Sequence, residues 1–306
     1  MATHQGRRRH AAFAGGLAIV ALCLGFVASP ATAAPPPPVD YVALGDSYTA
    51  GTGAGGLYRD AVCWQSEPGY VDVVAASGRV DLLSNLACHG ALLSFDPLNP
   101  SPFYNGAPTV VEQIFSGQAD LQKAELVSIT AGAIDAGSLL ALQACASPDT
   151  ATCAGTVAGI RANLGSVTTA LAGTYGLIRA AAPNATIAVM GYPRLFDPSQ
   201  GDLVIPGVTV VPVANQVMAN SAVDDLNKAI AAAVQLSGKN VVFVDVTKRF
   251  GGHAVNSADP WIVLVPVPVA PFDRLPDANF HPNVAGHQAY ASALISAVKP
   301  AQLAKQ

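Results

Sequence analysis

Val42-Ala43-Leu44-Gly45-Asp46-Ser47-Tyr48-Thr49-Ala50-Gly51 is the stretch on which the fold turns. A short apolar run leads into a glycine, an acid and a serine, and then into small residues. That order reads as a buried strand, a tight turn and the first residues of a helix. Such a turn leaves the Ser47 hydroxyl at the carboxyl edge of a sheet, where open α/β sheets bind their ligands. A serine is a weak nucleophile without a base beside it. The stretch alone is also compatible with an ordinary strand-turn-helix corner, so the rest of the chain must decide.

The same strand pattern recurs at Val80–Leu86, Glu125–Thr130, Ala185–Met190 and Asn240–Val246. Helical spacing falls between these runs: Pro68 to Ala76, Thr109 to Phe115, a segment ending at Ala144, Thr156 to Ala182, Pro212 to Leu236, and Pro282 to Ala297. In the helix after Pro212, Val217, Val223, Leu226 and Ile230 fall near one face. Residues 92–108 read as an irregular excursion, Cys145 to Cys153 as a hairpin-like loop, and the residues from Gly191 to about Asp202 as a polar loop. The strands lack in/out alternation, so both faces are expected to be buried. This predicts an α/β fold, a doubly wound parallel sheet of five strands in three layers, with helices on both sides.

Residues 1–33 read differently. Arg7, Arg8 and Arg9 precede an apolar run from Ala11 to Ala28, followed by Ala31-Thr32-Ala33. A basic end, a short apolar core and an A-x-A site make a secretory signal peptide. Gly15, Gly16, Gly25 and Pro30 interrupt the run and argue against a permanent span. Leu22 stands where a lipid anchor at Cys23 would need a small residue. Residues 34–39, with Pro35 to Pro38, form a stiff linker into a single domain at 40–306. The expected localisation is secreted, extracellular or wall-associated, after cleavage near Ala33. The formal net charge is −4, and losing the three arginines makes the chain more acidic still. That excludes an electrostatic nucleic-acid binder and a polybasic membrane anchor.

Of five cysteines, Cys63, Cys88, Cys145 and Cys153 lie beyond the leader. An even number in an exported chain suggests disulfides. Three pairings are open, and the one closing two short loops, Cys63–Cys88 and Cys145–Cys153, is favoured. No C-x-x-C or histidine pair has ligand spacing, so no metal is expected.

The strand ends bring the chemistry together. In a parallel sheet the turns at Ser47, Gly90 and Ile134-Asp135 emerge at one edge. His281, before the last helix, can pack back on that edge within hydrogen-bond reach of Ser47, and a histidine accepts and returns a proton near neutrality. Backbone N–H groups at Ser47 and Gly90 are candidate oxyanion donors.

Four ordered blocks carry a family resemblance: Gly45-Asp46-Ser47-Tyr48-Thr49-Ala50-Gly51, Asn85-Leu86-Ala87-Cys88-His89-Gly90-Ala91, Thr130-Ala131-Gly132-Ala133-Ile134-Asp135-Ala136-Gly137, and Phe280-His281-Pro282-Asn283-Val284-Ala285-Gly286-His287. Together they resemble the SGNH, or GDSL-type, serine esterases and lipases, nearest to secreted actinobacterial lipases. The resemblance implies a flavodoxin-like sheet and a secreted hydrolase of carboxylic esters, lipid esters among its candidates. It implies an acyl-enzyme on Ser47 with His281 as base, and oxyanion donors at Ser47 and Gly90. No cofactor is implied; the expected partner is a small-molecule or lipid ester, and the expected state a monomer.

The chain departs from the family pattern at four places. Tyrosine at position 48 replaces leucine. Ile134 replaces an asparagine whose side chain donates to the oxyanion; loss of such a donor costs about 10²–10³ in turnover. Ala278 stands where the family often has an aspartate, leaving Asp277 as a candidate acid one position off, or a main-chain carbonyl in its place. A cysteine expected near Asn256 is absent. Ile134 also motivates the alternative, a weakened or non-catalytic ligand-binding protein on the same fold. Among the other histidines, His287 reads as a surface or packing residue. His89 is placed either at the pocket or in solvent.

Overall fold

The computed structural model describes residues 37–55, 58–59, 62–98, 106–265 and 278–303, all within a unit spanning Pro36–Gln306. Strand β1 (Val39–Gly45) runs into a single turn of helix, α1 (Ser47–Ala50). Helix α2 (Tyr70–Ala75) leads to β2 (Val80–Asn85), and α3 (Val110–Ser116) and α4 (Gln118–Leu121) lead to β3 (Leu126–Thr130). Helices α5 (Ser138–Cys145) and α6 (Thr150–Ala181) precede β4 (Thr186–Met190). A short hairpin, β5 (Leu203–Ile205) and β6 (Thr209–Val211), comes before α7 (Val213–Leu236) and β7 (Val241–Val244). Helices α8 (Val284–Val298) and α9 (Pro300–Leu303) close the described chain.

The five long strands pair in parallel in the order β2-β1-β3-β4-β7. This is the expected α/β doubly wound architecture. Helices α2 and α8 pack together, and α6 packs along α7 with α3 and α5 beside it. The chain leaves β1 and β3 in opposite directions along the sheet, and ligands of such sheets bind outside the carboxyl ends at that switch point. The residues explain the layering. Strands β1, β3 and β4 are buried along almost their whole length, and their Val, Ile, Leu and Ala side chains meet helices on both sides. The edge strands β2 and β7 stay partly open, so burial of both faces holds only for the centre of the sheet.

Three expectations are corrected. The long helix begins at Thr150, not Thr156, because the Asp149 carboxylate caps the N–H groups of Ala151 and Thr152 at 3.0 and 3.1 Å. Cys153 therefore sits in the first turn of α6, and the loop from Cys145 is shorter than a hairpin. The segment before α7 holds the antiparallel β5–β6 pair rather than loop alone; Ile205 and Val211 face inward while Val204 and Val210 face out. Val217 is 51% exposed, so the buried face of α7 is carried by Leu226 and Ile230, with Asn215, Gln216 and Asn220 buried beside them. Disulfides join Cys63 to Cys88 and Cys145 to Cys153, with Cα separations of 4.1 and 4.5 Å. Asp277 lies outside the described residues. Among the described residues, no helix is long and apolar enough to cross a membrane.

Candidate active site

The turn after β1 is forced by close approach. Gly45 has φ +124°, and a Cβ there would fall 2.0 Å from the Thr130 carbonyl oxygen of β3. Only glycine lets the two strand ends sit this near each other. Buried Gln113 of α3 then brackets the turn: its Oε1 accepts from Gly45 N–H at 2.8 Å and its Nε2 donates to Gly45 C=O at 3.0 Å. Asp46 is the N-cap of α1. Its carboxylate accepts from Tyr48 N–H at 3.0 Å, the Thr130 hydroxyl at 2.6 Å and the Tyr192 hydroxyl at 2.5 Å. Burial pushes this carboxyl up to about 6, and those three hydrogen bonds oppose the shift. Asp46 thus fastens β1, β3 and the turn after β4 around the serine.

Ser47 opens α1, and its Oγ lies 2.7 Å from His281 Nε2, although 234 positions separate the two residues. His281 Nδ1 faces the Asn279 carbonyl at 3.0 Å. A carbonyl only accepts, so Nδ1 carries the proton and the Nε2 lone pair receives the Ser47 hydroxyl. The chain reaches this position through a left-handed residue, Phe280, with φ +63°. Phe280 N–H donates to Val263 C=O at 2.9 Å, and Val263 N–H donates to His281 C=O at 2.8 Å. From the opposite side the Tyr48 hydroxyl donates to the Phe280 carbonyl at 2.7 Å, and the Tyr48 ring packs 5.1 Å from the His281 imidazole. Burial drives the His281 imidazole down to about 3, His89 and His287 push the same way, and the Asn279 and Ala278 backbone groups oppose them. The ring is therefore neutral through the neutral range.

The turn after β2 is tied to the same place by Cys88 N–H donating to Gly45 C=O at 3.0 Å. Gly90 takes φ +78°, and neither its N–H nor that of Ser47 has an acceptor among the described residues. After β3, Ile134 is half-buried in a tight turn closed by Gly137 N–H donating to its carbonyl at 2.9 Å. The neighbouring Asp135 carboxylate accepts from Leu93 N–H at 3.1 and 3.3 Å and ties the segments after β2 and β3 together. Burial raises that carboxyl to about 6.

The other histidines separate clearly. His287 is fully buried; its Nδ1 accepts from Tyr70 N–H at 3.2 Å and its Nε2 donates to Thr52 C=O at 3.1 Å, a packing role. His89 is at the pocket: its ring lies 5.5 Å from that of His281, and its Nδ1 lies 3.0 Å from the Thr52 hydroxyl. His253 stacks on Trp261. The strand-end pattern pointed to Ser47, Gly90 and His281. It gave no role to Gln113, Thr130 or Tyr192, whose partners are 68 to 146 positions away. Tyr48 was visible only as a departure from leucine.

A hydroxyl hydrogen-bonded to a neutral, oriented imidazole, with two N–H groups nearby, is the arrangement acyl transfer uses. The sequence pattern of the GDSL-like Lipase/Acylhydrolase family matches residues 43–289, which hold all of these groups. The chain belongs to this family. It is 30% identical over 283 residues to a lipase of Streptomyces rimosus, covering 91% of this chain and 94% of that one. Crystal structures of phospholipase A1 from Streptomyces albidoflavus NA297 and of an extracellular lipase from Streptomyces rimosus are similar in fold. Each gives a TM-score of 0.67 at 28% identity over 85% of this chain and 100% of that one. As a GDSL-like lipase/acylhydrolase the protein is a carboxylic ester hydrolase. Among its described residues no group of three or more His, Cys, Asp or Glu side chains could hold a metal ion.

Proposed function

We propose that this GDSL-like lipase/acylhydrolase cleaves carboxylic esters, lipid esters included, through an acyl-enzyme on Ser47 with His281 as general base. The observation that carries the reading is the 2.7 Å contact between Ser47 Oγ and His281 Nε2, with Nδ1 fixed on the Asn279 carbonyl. Ser47 Oγ attacks the ester carbonyl carbon as its proton passes to Nε2. The oxyanion forms against the N–H groups of Ser47 and Gly90. The carbon–oxygen bond to the alcohol breaks, and Nε2 returns its proton to the leaving oxygen. Water then repeats the sequence on the acyl-enzyme, releasing the acid. We assign the orienting role to the Asn279 carbonyl rather than to Asp277, making the unit a Ser–His dyad. With Ile134 in place of a side-chain donor, the oxyanion has two N–H groups instead of three, and a modest turnover follows.

We further propose export as a monomer, with residues 1–33 removed. Two disulfides among the described residues support an oxidising compartment, and the similar Streptomyces rimosus lipase is described as extracellular. Nothing in the comparisons favours the non-catalytic alternative. The test is turnover of short-chain p-nitrophenyl esters. Activity should vanish in Ser47→Ala and in His281→Ala; turnover undiminished in Ser47→Ala rejects the mechanism.

A further inference from the structure

His281 has a second task that fixes where the alcohol part of a substrate must lie. To return its proton, Nε2 needs the leaving oxygen within about 2.6–3.2 Å. The alcohol therefore leaves on the His281 side of Ser47, and whatever stands beside that imidazole borders its path.

A row of aromatic rings stands there. From His281 the ring-to-ring steps are 5.5 Å to His89, 4.7 Å from His89 to Trp64, and 5.6 Å from Trp64 to Tyr58. Tyr58 is 43% exposed, so the row runs from the half-buried imidazole out to solvent. The row is also built rather than incidental. The Cys63–Cys88 disulfide ties together the two segments that carry its central rings, since each cysteine immediately precedes one of them, Trp64 and His89. His89 N–H donates to the Cys63 carbonyl at 3.0 Å, and the His89 ring is held at Nδ1 by the Thr52 hydroxyl. Trp64 has φ +49°, a backbone state that bulky residues adopt only when the surroundings impose it. At the outer end, a bridge between Tyr58 and Ser66 and the ion pairs of Arg59 with Glu67 and Asp72, at 2.7 and 3.2 Å, hold the loop closed.

We propose that His89, Trp64 and Tyr58, clamped by the Cys63–Cys88 disulfide, form the wall that receives the alcohol part of the ester, and that this wall selects apolar, ring-bearing alcohols. The proposal rests on the Ser47–His281 reading and adds a specificity determinant to it. The row sets the His89 imidazole beside the base and the indole of Trp64 and the phenol of Tyr58 beyond it. An apolar ring gains contact along it, whereas a methyl group leaves it unused. Acyl-chain preference belongs to other parts of the site.

The experiment holds the acyl group at butyryl and varies the alcohol through methyl, benzyl and 2-naphthylmethyl. Wild type should favour the ring-bearing esters in kcat/KM. His89→Ala and Trp64→Leu should lower the benzyl-to-methyl ratio by about tenfold, chiefly through KM. Tyr58→Ala, at an exposed position, should lower the naphthylmethyl-to-benzyl ratio and leave the protein folded. The octanoyl-to-acetyl ratio, measured on methyl esters, should hold in all three. A ratio that does not change with the alcohol, or one that follows acyl length instead, overturns the proposal. Ser47→Ala serves as control: if it still hydrolyses these esters the mechanism itself fails, whereas a silent Ser47→Ala with unchanged alcohol ratios removes the wall alone.

Discussion

Replacing Tyr48 by phenylalanine deletes one oxygen and should cost both stability and turnover. The ring keeps its place against His281, Tyr192 and Tyr290, at 5.1, 5.2 and 5.9 Å. What is lost is the 2.7 Å hydrogen bond to the Phe280 carbonyl. That carbonyl belongs to a buried residue in the left-handed region, so no water replaces the hydroxyl easily. An unsatisfied buried acceptor costs about 1–3 kcal/mol, and in a domain of this size each kcal/mol lowers Tm by about 2–4 °C. The catalytic effect follows from position. Phe280 immediately precedes His281, and the His281 ring must stay within hydrogen-bond reach of Ser47. A slackened backbone at this point should lower kcat by about tenfold, since a 1 Å displacement costs about 10². KM for a small ester should change little, because the hydroxyl is buried and spent on the Phe280 carbonyl. The assays are thermal unfolding and p-nitrophenyl butyrate kinetics on the same preparation. A Tyr48→Phe protein that melts lower yet keeps its full kcat would show that the Phe280 carbonyl does not hold the base in place.

Other expectations follow from the same geometry. Only a neutral His281 accepts the serine proton, and burial holds its imidazole well below the ordinary 6.5, at about 3; the His281 ring signals followed by NMR should therefore stay those of the neutral form as pH falls through the 6.5 range, whereas a ring that titrates near 6.5 would mean an imidazole exposed to water. Ile134→Asn should raise kcat by up to about 10² by restoring a side-chain donor; a folded variant with unchanged kcat means that this turn does not aim the side chain at the oxyanion. Removing the Cys145–Cys153 disulfide, which closes a separation of 8 residues, should cost roughly 2–3 kcal/mol of stability with turnover preserved below the melting range, as read by denaturant unfolding and kinetics. His287→Ala strips Tyr70 N–H and Thr52 C=O of their partners; a loss of roughly 2–5 kcal/mol is expected, and melting unchanged from wild type would contradict the packing role.

The sheet was legible because its central strands are short, unbroken apolar runs, each closed by small residues; Leu126-Val127-Ser128-Ile129-Thr130 can scarcely be anything else. The helix start at Thr150 was not, since the cap at Asp149 lies inside a stretch that two cysteines made look like a loop. The β5–β6 hairpin escaped because three-residue strands leave too few alternations to see. At the site, Ser47, Gly90 and His281 announce themselves at strand and helix ends. The groups that hold them are another matter. Asn279 meets the His281 ring through its backbone carbonyl, which no side-chain motif records. Gln113 and Tyr192 work across 68 and 146 positions, and their roles exist only once the sheet has brought β1, α3 and β4 together.

If an imidazole from the far end of the chain activates the Ser47 oxygen, that oxygen must react with phosphonylating reagents far faster than an ordinary serine. Fluorophosphonate labelling of the purified protein, followed by peptide mass mapping, reads this directly. One adduct is expected, on Ser47, absent in Ser47→Ala and formed far more slowly in His281→Ala. Labelling at another residue, or at Ser47 with undiminished rate after His281 is removed, would contradict it.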